Sequence, residues 1–359
     1  MSVFLLAGGG TGGHVNPLLS LAEMLRKEGH EVIALGTKEG LETRLVPQRG
    51  FELETVARLP FPRKPSLYAL KFPFRFIGAV SKVRKLIRSR NIKGVVGFGG
   101  YASAPAYVAA WLEKTPIVVH EANALAGFAN RLGARFTKYL AVAFPNSDLK
   151  AATLTGMPLR NEIVTAIGTY DQQQARVELG LDPQTPTLLV TGGSLGAASI
   201  NRAVVDAKDV LLAAGIQVLH IVGDKSEFTE LDEAGYKRIF YCNSMDAAIA
   251  AASFAISRAG ASTVAEFSAF GLPALYIPYP VGNGEQRLNA KTVVEAGGGI
   301  MLEDKDFSSD YIAQKLIPVI SRASKLAEMS KAAKSTGIVD ATERLRSILR
   351  QAVDTGTRD

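Results

Sequence analysis

Three stretches of this chain combine residue types and spacings that can do chemistry. Gly8-Gly9-Gly10-Thr11-Gly12-Gly13 and Gly192-Gly193-Ser194-Leu195-Gly196 each follow an aliphatic run. A glycine loop after a buried strand lets backbone N–H groups and a helix start approach a phosphate or a developing anion. A tight strand-to-helix turn wants glycine as well, so the loops alone do not choose between these readings. Neither is a Walker A, because no Lys-Ser or Lys-Thr follows, and the strand after the first loop ends Leu35-Gly36-Thr37 without an acid to hold a ribose. His14 closes the first loop, where an imidazole can take a proton from a hydroxyl; capping the following helix is its other use.

The third stretch, Ser257-Arg258-Ala259-Gly260-Ala261-Ser262-Thr263-Val264-Ala265-Glu266, leads into Gly271-Leu272-Pro273. A strand ending at Ser257, a turn at Gly260 and a helix opening near Ser262 leave the amides of Ala261, Ser262 and Thr263 without intrahelical acceptors, which suits a diphosphate. Glu266, about one turn in, can accept two hydrogen bonds from a ribose diol; compensation of the helix dipole is its other reading.

The elements that must position these residues alternate between short aliphatic runs and amphipathic windows, the pattern of parallel sheets covered on both faces. Strands are expected at Val3–Ala7, Glu31–Leu35, Gly94–Gly97 and Pro116–Val119, and again at Thr187–Val190, Gln217–Val222, Arg238–Tyr241, Phe254–Ser257 and Ala274–Ile277. Helices are expected at Pro17–Glu28, Ala104–Glu113, Ala198–Ala214, Ser262–Phe270 and Gln286–Ala296. Because both series open on a strand and a glycine loop, the fold class is α/β with two Rossmann-like domains. The expected bounds are 1–162, 163–339, and a C-terminal helix over 340–359 that packs back on the first domain, with a linker near 158–166. Ligands of open α/β sheets sit beyond the C-terminal strand ends, so the two parallel sheets are expected to face a central cleft.

The chain is long enough for two cores: 359 residues, 47% apolar and 21% charged, which excludes disordered and fibrous classes. One cysteine, Cys242, excludes a disulfide scaffold and suits a reducing compartment; a small buried residue is all it need be. The opening apolar run is too short for a signal sequence, and none elsewhere is long enough to span a bilayer, so a soluble protein is expected. Residues 1–163 carry 22 Lys and Arg against 11 Asp and Glu, and the remainder 19 against 23. The excess lies between Glu54 and Glu113, where eleven basic residues meet no acid. Such a block attracts phosphates of nucleic acid, membrane or substrate. Leu70, Phe74, Ile77 and Val80 recur at helical spacing inside it, flanked by Lys71, Arg75 and Lys82. An apolar stripe is commonly core and a charge run a solvated face, yet Phe61, Phe72, Phe74 and Phe76 lie too densely among bases and prolines all to face inward, as in a peripheral membrane patch.

Taken in order, Gly9–His14, His120-Glu121-Ala122-Asn123, Gly156-Met157-Pro158-Leu159-Arg160, Gly192-Gly193-Ser194, Ser257–Glu266, Gln286 with Asn289, and Asp340-Ala341-Thr342-Glu343-Arg344 resemble the MurG family of GT-B glycosyltransferases, family 28, over nearly the whole chain. The resemblance implies inverting transfer of GlcNAc from UDP-GlcNAc to the C4 hydroxyl of MurNAc in an undecaprenyl-pyrophosphoryl MurNAc-pentapeptide, lipid I to lipid II, during peptidoglycan synthesis for cell shape and division. It places the diphosphate over Ala261–Thr263 and Ser194, the ribose on Glu266 within the run that includes Val264 and Ala265, the uracil near Cys242–Met245 and the sugar by Gln286 and Asn289. Thr11, Gly12, Gly13, Asn123 and Arg160 match family positions that also touch the nucleotide sugar; for Arg160 a salt bridge between domains is the alternative. Trp111 matches a position beside the patch. The implied partners are UDP-GlcNAc, lipid I, an anionic membrane surface at the cytoplasmic face and other cell-wall synthesis proteins. Ala122, Met157, Leu195 and Glu285 depart from residues common in the family, and a Glu285 carboxylate cannot donate to a sugar hydroxyl.

The base has two candidates. His14 lies on the glycine loop, and Glu121 follows the strand Pro116–Val119. His14 is favoured, since an ordinary imidazole is largely neutral near pH 7 whereas a carboxylate needs burial to become comparably basic. No cofactor or bound metal is expected: the histidines His14, His30, His120 and His220 are scattered, no Asp-x-Asp triplet ends a predicted strand, and helix amides can meet the charge of departing UDP. Rival readings are a UDP-GlcNAc 2-epimerase or another glycolipid transferase of the same fold, a nonenzymatic UDP-sugar sensor, and a nucleic-acid-binding module. The last is disfavoured because the aromatics lie among prolines rather than in an RNA-binding strand pattern.

Overall fold

The first strand, β1 (Val3–Ala7), shows how the sequence builds the sheet. Its side chains alternate between two apolar faces, with Phe4 and Leu6 in one core cluster and Leu5 and Ala7 in another. Each aliphatic side chain buried this way contributes roughly 1.5–3 kcal/mol. The computed structural model describes residues 1–62, 64–193 and 196–356. These divide into two units, one formed by 1–160 with 340–359 and the other by 161–339.

In the first unit β2 (Glu31–Thr37), β3 (Glu52–Val56), β4 (Ile92–Gly97), β5 (Ile117–Glu121), β6 (Leu140–Val142) and β7 (Thr153–Leu154) join β1 in the order β3-β2-β1-β4-β5-β6-β7, every pairing parallel. Helices α1 (Gly12–Lys27), α2 (Glu42–Gln48), α3 (Leu67–Ser89), α4 (Ser103–Leu112) and α5 (Phe128–Gly133) accompany it. The C-terminal helix Ala341–Thr355 inserts Leu345, Ile348, Leu349 and Ala352 into the cluster that holds Phe4 and Leu21. Gly94 makes room, since a Cβ there would meet Leu349 at 3.1 Å and Val353 at 3.2 Å.

In the second unit β8 (Thr187–Thr191), β9 (Gln217–Ile221), β10 (Leu231–Glu233), β11 (Tyr236–Ile239), β12 (Phe254–Ser257), β13 (Ala274–Tyr276) and β14 (Gly299–Met301) run in the order β10-β11-β9-β8-β12-β13-β14. Among the described residues only β10 pairs antiparallel, as a hairpin edge on β11. Both units are therefore Rossmann-like α/β layers, the expected fold class. β11 starts two residues before the expected strand because buried Tyr236 pairs with Val218. Ala207 breaks the expected Ala198–Ala214 helix into Ala198–Asp206 and Lys208–Ala213. Residues 161–166, expected in a linker, form the helix Asn161–Ala166, which buries Ile163 and Ala166.

The basic block forms α3, capped by Ser66, whose hydroxyl accepts from Ala69 N–H at 3.1 Å. Leu70 (71%), Phe74 (78%) and Ile77 (60%) are exposed on one stripe, and Trp111 is exposed while stacking on Phe136. Val80 does not join them, contrary to the sequence expectation. It is 6% exposed and packs in the core with Ala79, Val83 and Ile87, because each three-residue step turns a side chain back by about 60° around the helix. Phe72 and Phe76 lean on that same core. Arg84 and Arg88 are taken up by Glu113, Arg90 by Glu31 and Glu52, and Lys82 by Glu54. Among the described residues Lys71, Arg75 and Lys85 have no acidic partner. None of the described helices is long and apolar enough to cross a membrane.

Candidate functional site

In the first unit Thr11 to His14 follow the C-terminal end of β1, Glu121 ends β5 with Asn123 just beyond it, and Arg160 lies beyond β7. Thr11 precedes α1, whose opening residues are Gly12, Gly13 and His14. His14 is half-buried, and its Nδ1 lies 3.0 Å from Gly9 O. Since a carbonyl only accepts, Nδ1 carries the proton and Nε2 the lone pair. The ring rests on Gly99, where a Cβ would come within 3.0 Å of Nε2. His14 thus presents an accepting nitrogen at a strand-end loop, the geometry a general base needs.

Glu121, the second candidate, is 2% exposed and occupied. Oε1 accepts from Asn123 N–H at 2.9 Å, and Oε2 accepts from Gly127 N–H and Asn130 Nδ2, each at 2.9 Å. Asn130 also donates to His120 O at 3.1 Å and accepts from Tyr107 O–H at 2.7 Å. Burial, and then the Glu121 charge, raise the Tyr107 pKa, so this phenol stays a donor. Glu121 thereby organises the loop that carries Asn123. His120 is fully buried, donates Nε2–H to Gly156 O at 3.1 Å, leaves Nδ1 without a partner, and is held down to about 4 chiefly by burial. Arg160, half-buried, ends the unit.

In the second unit the helix Ala261–Phe270 starts directly after β12 and Gly260. Val264 is the first residue bonded back, to Gly260 O at 3.0 Å, so the N–H groups of Ala261, Ser262 and Thr263 point out of the helix start. The Oγ atoms of Ser257 and Ser262 are buried without a partner among the described residues. An unsatisfied hydroxyl beside free amides at a helix N-terminus is chemically able to receive an anion. Glu266 follows one turn on and is 7% exposed, with Val264 buried and Ala265 half-buried between. Gly271 ends the helix in the left-handed conformation at φ 75°.

Asn289, 1% exposed, donates Nδ2–H to Ala259 O at 3.2 Å and so ties the helix Glu285–Glu295 to the turn before the helix Ala261–Phe270. Gln286 Oε1 accepts from Tyr279 N–H at 3.0 Å. Cys242 is half-buried ahead of the helix Met245–Ala251. Ser194 and Leu195 lie outside the described residues; of the glycines beside them, Gly193 adopts φ 86° and Gly196 makes room, since a Cβ there would fall 2.0 Å from Val222 O. Among the described residues no three His, Cys, Asp or Glu side chains are grouped to hold a metal ion.

With this geometry in place, known proteins are informative. Residues 4–142 match the glycosyltransferase family 28 N-terminal domain, and residues 187–345 match the glycosyltransferase family 28 C-terminal domain. The chain belongs to glycosyltransferase family 28. The family 28 chain is 51% identical over 356 residues to the UDP-N-acetylglucosamine--N-acetylmuramyl-(pentapeptide) pyrophosphoryl-undecaprenol N-acetylglucosamine transferase of Clavibacter sepedonicus, covering 98% of this chain and 97% of that one. It is 45% identical over 355 residues to the enzyme of the same name from Streptomyces coelicolor, covering 97% and 98%. In fold it is similar to the crystal structure of Acinetobacter baumannii MurG, with a TM-score of 0.79 and 24% identity, covering 98% of this chain and all of that one.

Other residues that brace these loops escape sequence reasoning. Arg258 donates to Ile277 O and Pro278 O, each at 3.3 Å, and to Ser199 Oγ at 3.0 Å, and pairs with Asp304. This fixes the loop between β12 and its helix from behind. Asp304-Lys305-Asp306 is an Asp-x-Asp triplet three residues after β14, a strand not expected from the sequence, and Asp304 is committed to Arg258 and Ser199. Glu42, fully buried, accepts from Gly10 N–H at 2.8 Å and from Thr37 N–H at 2.7 Å. The visible signal for Glu42 was the pair of glycines, Gly36 and Gly40, that leave room for it.

Proposed function

We propose that this chain transfers GlcNAc from UDP-GlcNAc to the C4 hydroxyl of the MurNAc unit of undecaprenyl-pyrophosphoryl MurNAc-pentapeptide, with inversion at the sugar's anomeric carbon. The observation that carries the reading is the identity of about half, over the whole length, with relatives named for this transfer.

The site chemistry supports it step by step. The diphosphate of the donor lies against the amides of Ala261, Ser262 and Thr263 and the unpartnered Ser262 hydroxyl, and Glu266 receives the ribose diol. Nε2 of His14 takes the proton of the acceptor hydroxyl as its oxygen attacks the anomeric carbon. The bond from that carbon to the β-phosphate oxygen breaks with its electron pair, and the charge gathering on UDP is met by preorganised helix amides. Glu121 holds the Asn123 loop rather than the proton.

The acceptor's lipid explains the exposed stripe. Leu70, Phe74, Ile77 and Trp111 enter the acyl boundary of the cytoplasmic leaflet while Lys71, Arg75 and Lys85 face anionic headgroups.

Incubating the protein with UDP-GlcNAc labelled in the sugar and a short-chain lipid I analogue tests the reading. Label is expected in the lipid product only when both substrates are present. Conversion of UDP-GlcNAc to its C2 epimer without acceptor would replace this reading by an epimerase, and donor binding without turnover by a sensor.

A further inference from the structure

The glycine loop beneath His14 is held by a side chain that the reaction scheme leaves without a role. Glu42 is completely buried and, among the described residues, meets only neutral donors. Oε1 accepts from Thr37 N–H at 2.7 Å and from Thr37 O–H at 2.9 Å, while Oε2 accepts from Gly10 N–H at 2.8 Å. With only donors facing it, the group acts as an acceptor on both oxygens, as a carboxylate does. Three glycines enclose it: a Cβ on Gly9, Gly36 or Gly40 would fall 2.0–2.3 Å from its atoms. Burying an acid is costly even when it is satisfied, and a loop braced by a neutral side chain would avoid that cost.

The Gly10 N–H that Glu42 receives and the Gly9 C=O that His14 Nδ1–H reaches at 3.0 Å are the two ends of one planar peptide group. Carboxylate, peptide and imidazole therefore form a continuous chain of hydrogen bonds. Thr11 Oγ1, 3.5 Å from the same nitrogen, is too far to compete.

We propose that Glu42 is a positioning residue for proton transfer, acting on His14 through the Gly9–Gly10 peptide. Its charge draws on the peptide N–H and increases the negative charge on the carbonyl oxygen. That oxygen then holds Nδ1–H more firmly, fixing the ring orientation and leaving Nε2 the stronger base. The proton taken from the acceptor goes to Nε2, Nδ1 keeps its own, and Glu42 takes none. The other groups near the ring are the Asn130 amide, which carries Glu121 behind it, and His120 on β5, whose charge would oppose that of His14 but which burial keeps neutral.

The inference rests on His14 being the base, and the experiment separates the two. In the full-length enzyme with a short-chain lipid I analogue, Glu42→Gln is expected to lower kcat about tenfold, keep the UDP-GlcNAc KM within about twofold, and move the acidic limb of the kcat profile down by roughly half to one pH unit. In a His14→Ala background the same change is expected to alter kcat by less than about twofold. An unmoved limb, or an equal loss with and without His14, overturns the proposal and leaves Glu42 a structural acid. Nitrogen NMR of the wild-type imidazole needs no variant: neutral His14 is expected as the Nδ1–H tautomer, and the Nε2–H tautomer overturns the proposal even if Glu42→Gln does not fold. Wild-type kcat in His14→Ala overturns the base assignment itself, and the proposal with it.

Discussion

Replacing Phe74 and Ile77 together by Ser separates the membrane stripe from the core beneath it. Phe74 is 78% exposed and Ile77 60%, so neither contributes much to folding, but each has most of its surface left to bury in lipid. A fully buried Phe or Ile gains roughly 1.5–3 kcal/mol. Insertion to the acyl boundary realises about half of that for each, so the double variant loses about 1.5–3 kcal/mol of membrane binding, roughly ten- to a hundredfold in partitioning. Unpaired Lys71, Arg75 and Lys85 retain a salt-sensitive remainder of about 1 kcal/mol each. Cosedimentation with vesicles containing anionic lipid reads the loss at low and high salt, beside turnover of a short-chain acceptor, which should not change. The neighbouring Val80→Ala serves as the converse control. Removing two buried methyl-sized groups costs about 2 kcal/mol of stability and leaves vesicle binding alone. Wild-type vesicle binding by the Phe74/Ile77 variant would refute the stripe as the contact, and a large drop in its melting temperature would refute the exposures on which the reasoning rests.

Glu266→Ala should weaken UDP-GlcNAc binding by about 2–3 kcal/mol in calorimetry, the scale for hydrogen bonds to a charged group; unchanged affinity would remove Glu266 from the site. Glu121→Gln has only one accepting oxygen for three donors, so it should lower stability by about 1–3 kcal/mol in denaturant titration while preserving the acidic limb of the pH–rate profile; loss of that limb would return the base role to Glu121. Stability should also fall in mild acid. His120 is held down to about 4 and His220 to about 3, mainly by burial, so below the ordinary histidine value near 6.5 the unfolded chain binds protons the folded chain does not. The stability they contribute is fully present above pH 6.5 and declines by up to about 1.4 kcal/mol per pH unit for each as pH falls toward those values. Equal urea midpoints at pH 7 and pH 5 would contradict this.

What the sequence made legible was whatever local pattern decides. Val3–Ala7 is an uninterrupted apolar run and Phe254–Ser257 an apolar run closed by a serine, each bounded by glycine or polar residues, and both are strands over those residues. The helix start at Ala261 followed from a strand, a glycine and a polar run. Glu52–Val56 and Leu231–Glu233 were illegible because a strand at the margin of a sheet can carry acids that an interior strand cannot. Val80 was misplaced because spacing gives the width of an apolar stripe and not which part of it the sheet covers. The polar braces were hidden for a different reason. Glu42 reaches back 32 residues to Gly10, Arg258 meets Asp304 from the far side of β13 and β14, and His220 is satisfied by Asn201 and Tyr236 on separate elements. Such partnerships exist only once the chain is folded, and they separate residues that touch substrate from those that hold them.

The central claim is an inverting displacement at the anomeric carbon, and the configuration of the new glycosidic bond tests it most directly. Proton NMR of the disaccharide product made from UDP-α-GlcNAc and a short-chain lipid I analogue should show the large trans-diaxial coupling of a β-linked GlcNAc on the MurNAc C4 oxygen. The small coupling of an α linkage would mean retention, and with it a mechanism that a single base at His14 and one departing diphosphate cannot perform.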